Sequence, residues 1–311
     1  MFKINIIAGG IDMAATHTTQ DISSHDATSI AGSFLQVCEV AGVRVNIGHI
    51  DDYLRLVSRC IREGKHVNIL NHNMHSLYHY FKSEQLRKIY QKSVVMVDGS
   101  WVLAILRTHR YHVNFINRMA WIDIIWPLLS FAERHGFRVF WLGNSPEVNQ
   151  QGLRRIREQF PSLMISGHHG HFDQSSGSSD NREIVARIND FRTDICVVGM
   201  GTPLQELWID RHERMVCASV MFSAGACLEF ISGHAVTPPR WLGPLGLEWA
   251  YRFSSNPRRF GFRYLVEPWR VLYEIAKHDI AGVSNKLLGF GRQPSPEHGY
   301  YEHRTADQKR K

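Results

Sequence analysis

A carboxylate, Asp98, directly follows the apolar run Val94–Val97 and precedes a glycine. If the run is a strand of a parallel sheet, its carboxyl end places this side chain beside any molecule bound at the edge of the sheet. A carboxylate in that position can remove a proton from a bound hydroxyl group. An aspartate there can also cap the helix that follows, so the position alone leaves both roles open.

Two further loops combine glycine with polar side chains. Gly143 and Asn144 precede Ser-Pro-Glu, which is typical of a helix start, and the free amides of a helix N-terminus bind phosphate. Gly201 precedes Gln205 and Glu206, whose donors and acceptors suit a uracil edge and sugar hydroxyls. Neither loop is a Walker loop or a G-x-G-x-x-G fingerprint, and ordinary helix capping explains each loop equally well.

The elements that would position these loops alternate along the chain between short apolar runs and longer amphipathic stretches. The runs predict strands at Val67–Leu70, Val94–Val97, Val139–Leu142, Leu163–Ser166, Ile195–Val198 and Val220–Phe222. The amphipathic stretches predict helices at Tyr53–Arg62, Ser83–Tyr90, Ile122–His135, Glu147–Gln159 and Arg182–Asp190. This alternation predicts an α/β fold: a Rossmann-like, mainly parallel sheet with helices on both faces.

Composition narrows the class of protein further. The 311 residues carry a formal net charge of +7, which favours anionic partners such as nucleotide phosphates or an anionic membrane surface. An apolar share of 44% excludes wholesale disorder, and five scattered cysteines without a C-x-x-C pair indicate reduced thiols. No apolar run reaches the length of a membrane-spanning helix or a signal sequence, so we expect a cytoplasmic protein.

The chain divides into four predicted segments. Residues 1–44 are expected to be a partly disordered leader, residues 45–235 the α/β core, residues 236–283 an appendage and residues 284–311 a disordered tail. Six arginines lie between Arg240 and Arg270, interleaved with aromatic residues and broken into short helices by prolines. This composition favours a helical appendage that associates with an anionic bilayer. Nucleic-acid binding and ordinary helix packing are the alternatives, but no nucleic-acid motif supports the first.

The sequence predicts neither a metal site nor a cofactor. His168, His169 and His171 are close in sequence, but a loop cluster without an added carboxylate or cysteine is weak evidence for a metal. The chain contains no D-x-D motif, which commonly holds a divalent ion against a nucleotide diphosphate. Arginines or backbone amides are therefore expected to stabilise a departing diphosphate.

Taken together, these residues resemble the WecG/TagA/CpsF family of bacterial glycosyltransferases. The resemblance covers roughly Val45 to Trp269, and its most specific marks are VVMVDGSWV, DICVVGMGTPLQELWI and the late run PPRWLGPLGLEWAYRFSSNPRRFGFRYL. It implies an inverting, metal-independent transfer of a sugar from a UDP-sugar to a polyprenyl-diphosphate-linked sugar. It also implies a peripheral enzyme on the inner face of the cell membrane.

The resemblance also implies roles for particular residues. Asp98 matches the aspartate that the family is proposed to use as its catalytic base. Substrate-binding roles are implied, at positions that match family motifs, for Asn71, Asn73, Arg118, Asp123, Gln205, Glu206, Arg252 and Arg259. The match is incomplete, since Asn71 replaces a usual threonine and Trp121 a usual glycine.

These departures favour exopolysaccharide assembly, with a hexosyl group as the transferred sugar. The alternatives are an N-acetylmannosaminyl or uronic acid transferase of the teichoic acid or common antigen type, and a non-catalytic polysaccharide-assembly protein on the same fold. The predicted partners are the UDP-sugar donor, the lipid-linked acceptor and an anionic membrane surface, with no nucleic acid. A homo-oligomer is compatible with the sequence.

Overall fold

The computed structural model describes residues 30–175 and 177–287. The disorder expected for residues 1–29 and 288–311 therefore lies outside the described residues. Within the described ranges, strand β1 (Gln36–Val40) pairs antiparallel with β2 (Val43–Ile47). The core thus begins upstream of residue 45, because that expected boundary cuts through this hairpin.

The central sheet has six strands, all parallel, in the order β4-β3-β8-β7-β5-β6. Their bounds are β3 (Val67–His72), β4 (Val94–Val97), β5 (Val139–Gly143), β6 (Ile165–His168), β7 (Ile195–Gly199) and β8 (Val220–Ser223). The mainly parallel sheet expected from the sequence is confirmed. The strand expected at Leu163–Ser166 begins two residues later, at Ile165.

The helices connect and cover these strands. They are α1 (Ile50–Glu63), α2 (Met74–Lys82), α3 (Glu84–Gln91), α4 (Ser100–Thr108), α5 (Trp121–His135), α6 (Pro146–Gln159), α7 (Ser179–Asp190), α8 (Leu204–His212), α9 (Cys227–Ser232), α10 (Glu248–Ser255), α11 (Pro257–Leu265) and α12 (Glu267–Leu287). Two short 3-10 helices span Phe115–Asn117 and Arg240–Leu242. Helix α12 continues to Leu287, so the expected tail boundary at residue 284 falls inside this helix.

Alternate residues along the strands enter two separate cores. Ile69 and Met96 face the core that contains α1, α5, α6 and α9. Their neighbours Leu70 and Val97 face the core that contains the β1–β2 hairpin, α2, α3, α4, α7, α8 and α12. Because both faces of the sheet are covered, the strands are apolar on both faces, and the expectation of helices on both sides is confirmed.

The strand order reverses between β5 and β7. From β5 the chain continues to β6 at one edge of the sheet, whereas from β7 it continues to β8 in the opposite direction. Ligands of open α/β sheets bind in the crevice at such a reversal. Here Asn144 N donates to Gly199 O at 3.0 Å, and Gly143 adopts φ 139°. A side chain at Gly143 would overlap the carbonyl of Gly199, so this close approach of the two loops requires glycine.

The last three helices lie in the C-terminal appendage, which follows residue 235, and α12 packs on α2. Val271 and Ile275 of α12 are buried in the core on that face of the sheet. In the described part of the chain, no helix combines the length and the apolar character that a bilayer crossing requires. The appendage is therefore helical, as expected, and one of its helices is part of the core.

Candidate active site

A cavity of about 1220 Å³ lies at the carboxyl edge of the sheet, between the strand ends and the appendage. Its wall includes eight of the twelve site residues predicted from the sequence, namely Asn71, Asn73, Asp98, Asn144, Gly201, Gln205, Arg252 and Arg259. The other four, Arg118, Asp123, Gly143 and Glu206, are not part of the wall. The chain thus brings together residues that are up to 188 positions apart in sequence.

Asp98 reaches the cavity from the end of β4, and two amides hold its carboxylate. Asn71 Nδ2 donates to Asp98 Oδ2 at 3.0 Å, and Asn73 Nδ2 donates to the same oxygen at 3.3 Å. Among the described residues, none donates to Oδ1. The N-cap of α4 is Gly99, so Asp98 is not the helix cap that its position also allowed.

Further hydrogen bonds fix the orientation of both asparagines. Ser223 Oγ donates to Asn71 Oδ1 at 2.8 Å, which leaves the nitrogen of that amide facing Asp98. Asn73 caps helix α2, and its Oδ1 accepts from the backbone amides of His75 and Ser76 at 3.0 and 3.1 Å. In this structure the two asparagines therefore position the carboxylate, whereas the family resemblance implied contacts with the sugar.

Burial raises the pKa of the Asp98 carboxyl group above its ordinary value. The nearby Arg252 guanidinium and the hydrogen bond from Asn73 act in the opposite direction, as does the more distant Arg118. Desolvation outweighs them, because removing a carboxylate from water disfavours its charged form. The result is a fixed carboxylate with an increased affinity for a proton, which is the property of a general base.

Gln205 joins two loops of the cavity wall. Its side chain is buried, and its Oε1 accepts from Gly201 N at 3.2 Å and from Gly225 N at 2.9 Å. These glycines follow β7 and β8, so one amide side chain fixes the spacing of neighbouring loops. The signal for this role in the sequence was the position of Gln205 in the first turn of α8.

Glu206 lies behind Gln205 and is fully buried. Its Oε1 accepts from Gln205 Nε2 at 2.9 Å, from Thr202 Oγ1 at 3.1 Å and from the Tyr90 hydroxyl at 3.3 Å. Its Oε2 has no partner among the described residues, and burial raises the pKa of this carboxyl group. Glu206 is not part of the cavity wall, and its predicted contact with a ligand stays a prediction.

Asn144 lines the cavity at the crevice between β5 and β7. It adopts a left-handed φ of 64°, and its carbonyl accepts from Gly170 N at 2.8 Å. Its Oδ1 atom is buried and has no partner within the described ranges. A bound donor group would satisfy this oxygen, since a buried polar atom is costly to leave without a hydrogen bond. The adjacent Ser145 caps α6 by accepting from Val148 N, as the Ser-Pro-Glu sequence indicates.

Arg118 and Asp123 belong to a charged network that includes Glu248, a residue of the cavity wall. The guanidinium of Arg118, which is 2% exposed, pairs with Asp123 and with Glu248, each at 2.8 Å. Arg240 also pairs with Asp123 and lies 3.8 Å from Glu248. Because Glu248 begins α10, these pairs attach the appendage to the core. Arg118 and Asp123 are not part of the cavity wall, and their predicted ligand contacts stay predictions.

Three arginines of the appendage line the cavity: Arg252, Arg259 and Arg263. Arg252 lies 5.1 Å from the centroid of the Phe230 ring, and its buried Nε has no partner among the described residues. Arg259 forms a 3.7 Å pair with Glu229. Sequence reasoning missed Arg263, although its spacing of four residues from Arg259 places both on one face of α11.

One group of three side chains in the described ranges brings potential metal ligands within 4.8 Å of one another: His75, His79 and Glu267. The sequence analysis considered a different group, His168, His169 and His171, and predicted no metal site there. The rings of His168 and His169 have centroids 4.1 Å apart and are tilted by 39°, and these histidines do not form such a group with a carboxylate. The sequence analysis did not find this group because Glu267 is 192 residues from His75 in the sequence.

The model of the glycosyl transferase WecG/TagA/CpsF family matches residues 38–284. The chain belongs to this family. The match extends the resemblance read from the sequence in both directions, and it begins inside the β1–β2 hairpin. The protein is therefore a glycosyltransferase.

Several curated relatives share one name, N-acetylglucosaminyldiphosphoundecaprenol N-acetyl-beta-D-mannosaminyltransferase. The proteins of Staphylococcus aureus strains MRSA252, MW2 and NCTC 8325 are each 30% identical to this chain over 192 residues. The aligned region is 62% of this chain and 72% of each relative. As named, these relatives act on a lipid-linked N-acetylglucosamine.

Proposed function

We propose that this glycosyltransferase moves an N-acetylmannosaminyl group from a UDP-sugar to a sugar carried on polyprenyl diphosphate, with inversion at the anomeric carbon. The names of the Staphylococcus aureus relatives support this donor and acceptor. The sequence alone favoured a hexosyl transfer in exopolysaccharide assembly. The relatives support the alternative to it, the teichoic acid or common antigen type.

The observation that carries the proposal is the Asp98 carboxylate, held by two amides at the wall of a large cavity. An acceptor hydroxyl attacks the anomeric carbon of the donor while the bond from that carbon to the diphosphate oxygen breaks. The hydroxyl proton passes to Asp98. Because burial raises the pKa of Asp98, the carboxylate accepts this proton more readily than an exposed aspartate would.

The departing UDP carries the electron pair of the broken bond and needs positive charge nearby. Arg252, Arg259 and Arg263 supply it from the appendage side of the cavity. Arginine suits this role because its planar donors match phosphate oxygens in pairs. The attachment of α10 through Arg118 and Glu248 then matters for catalysis, since it sets the position of the first of these arginines.

The nucleotide is proposed to occupy the crevice between β5 and β7, where the strand order reverses. Asn144 Oδ1 is an unpartnered acceptor at this point among the described residues, and Gln205 ties together the loops that follow β7 and β8. An acceptor of this kind suits an N–H group of a uracil ring. The donor sugar would then extend toward Asp98 and the acceptor.

We also propose peripheral association with the inner face of the membrane, which would bring the lipid-linked acceptor to the cavity. The appendage exposes large apolar side chains, including Trp241, Leu265, Trp269 and Tyr273. Aromatic residues beside arginines suit the interface of an anionic bilayer. Sedimentation with vesicles tests this, and Trp269→Glu should reduce binding to anionic vesicles. The homo-oligomer stays a prediction.

The experiment that tests the function uses the Asp98→Asn variant with UDP-N-acetylmannosamine and a polyprenyl-diphosphate-linked N-acetylglucosamine. General-base assistance is worth about 10²- to 10⁴-fold, so turnover should fall by about that much while UDP binding is retained. Asp51→Asn, which removes an exposed carboxylate, is the matched control. Near-normal turnover by Asp98→Asn would remove Asp98 from the role, and transfer only from UDP-glucose would favour the exopolysaccharide hypothesis.

A further inference from the structure

Two histidines and one glutamate meet where the core contacts the appendage. His75 and His79 are four residues apart on α2, so they share one face of that helix. Glu267 opens α12 and is buried against them. His75 Nδ1 lies 2.7 Å from Glu267 Oε2, and the centroids of the two histidine rings are 4.7 Å apart.

This set of groups matches a known class of metal site. Two histidines at positions i and i+4 of a helix, with a carboxylate from elsewhere, bind zinc in several enzymes. Tetrahedral ligands at bond lengths of about 2.1 Å lie roughly 3.4 Å from one another. The three ligand atoms here already lie within 4.8 Å, so small side-chain rotations bring them to that spacing.

The charged side chains around the cluster affect a bound cation in both directions. Lys82 and Arg263 are the cations that face His79, and their charge opposes a bound cation. The carboxylate of Glu267 offsets part of that repulsion because it lies directly against the histidines.

We propose that His75, His79 and Glu267 bind a divalent transition-metal ion, such as zinc, that joins helix α2 to helix α12. This inference goes beyond the proposed function, because the transfer reaction described above routes no step through the ion. The role is structural: the ion would link the helix whose N-cap positions Asp98 to the helix that follows the cavity arginines. His75 also lines the cavity, so the fourth ligand position can be taken by water.

The test uses the full chain, treated with a chelator and then titrated with Co²⁺, whose visible absorption bands report tetrahedral coordination. We expect one equivalent to bind with a saturable spectrum that Zn²⁺ abolishes by displacement. A saturating concentration of Zn²⁺ should also raise Tm by about 5 °C, because a ligand that binds only the folded state stabilises it. Neither readout depends on sugar transfer, so failure of the metal-site proposal is distinguishable from failure of the proposed function.

Variants of the three proposed ligands test which residues bind the Co²⁺ ion. His79→Ala should lose the cobalt spectrum and the Tm rise, and Glu267→Gln should do the same if it folds. Should the buried Glu267→Gln variant be unstable, His75→Gln provides the second test. The matched control is the double variant His168→Ala/His169→Ala. It removes two other neighbouring histidines and should still bind one equivalent of Co²⁺. Loss of binding in that control, retention in His79→Ala, or no saturable spectrum in the native chain would each overturn the proposal.

Discussion

The hydrogen bond from Asn73 to Asp98 offers a quantitative test of how the pKa of the proposed base is set. Asn73→Ser removes the amide that donates to Asp98 Oδ2 but keeps a side-chain oxygen for the cap of α2. Serine and asparagine are about equally good N-caps, so the helix should lose little stability. The change therefore acts chiefly on the carboxylate.

The direction and size of the effect follow from the geometry. A hydrogen bond to a charged group contributes about 1.5–3 kcal/mol, and one pKa unit corresponds to about 1.4 kcal/mol. At 3.3 Å the bond is long, so we take the lower end and expect the pKa of Asp98 to rise by about one unit. The sign is upward because the amide stabilises the charged carboxylate, and its loss favours the protonated form.

The assay is kcat/KM as a function of pH, which reports the ionisation of the free enzyme. Its acid limb should move upward by about one unit in Asn73→Ser, with rates on the plateau close to those of the native enzyme. Ser76→Ala is the control, because it removes the hydroxyl that bonds the backbone amide of Asn73 and leaves the amides on Asp98 in place. An acid limb that stays in place, or that moves equally in Ser76→Ala, would refute the reasoning.

Three further predictions concern stability. Gly143→Ala should lower the free energy of unfolding by at least about 2 kcal/mol, because the new side chain overlaps Gly199, whereas Gly136→Ala, with open space around it, should lose about 1 kcal/mol. Glu206→Gln should flatten the pH dependence of unfolding. Because the pKa of Glu206 is raised in the folded state, this group stabilises the fold at pH values below the ordinary glutamate pKa. That stabilisation is lost as the pH rises through the pKa of the folded state. Arg118→Met should cost about 3–5 kcal/mol, because it leaves two carboxylates with a missing partner, and turnover should fall as α10 loosens.

Denaturant unfolding measures all three effects. Equal losses in the two glycine variants would show that the loops of β5 and β7 can separate. If the free energy of unfolding of Glu206→Gln depends on pH as it does in the native protein, groups other than Glu206 cause that dependence. For the arginine, Arg240→Met is the matched control, since this more exposed partner of the same carboxylates should matter less. If Arg240→Met lowers the free energy of unfolding more than Arg118→Met does, the larger contribution expected from the buried Arg118 would be contradicted.

The sheet could be predicted because buried parallel strands need apolar residues on both faces. The run Val94–Val97 is fully apolar and was placed to the residue. The strand Gln36–Val40 was missed because only Cys38 and Val40 are buried, while Gln36, Glu39 and the apolar Val37 are exposed. Ile165 begins a strand of which only the first residue is buried, so its apolar signal was weak and the expected start was displaced.

The site was only partly predictable, for a related reason. The position of Asp98 followed from a general rule about strand ends and needed no distant partner. The roles of Arg118 and Glu206 did not follow, because they depend on Glu248 and Tyr90, which lie 130 and 116 residues away in the sequence. Type and spacing show which residues can do chemistry, but only the folded chain shows which of them reach the cavity.

The contact between α2 and α12 has a consequence for the order in which the site is completed during synthesis. Helix α2 emerges from the ribosome early, whereas Glu267, its partner for His75, follows 192 residues later. Val271 and Ile275 are synthesised later still, and they cover an apolar face of the core that is exposed until then. A nascent chain thus carries its sheet and Asp98 well before it carries the cavity arginines and the last helix, so the cavity wall is complete only once α12 has been added.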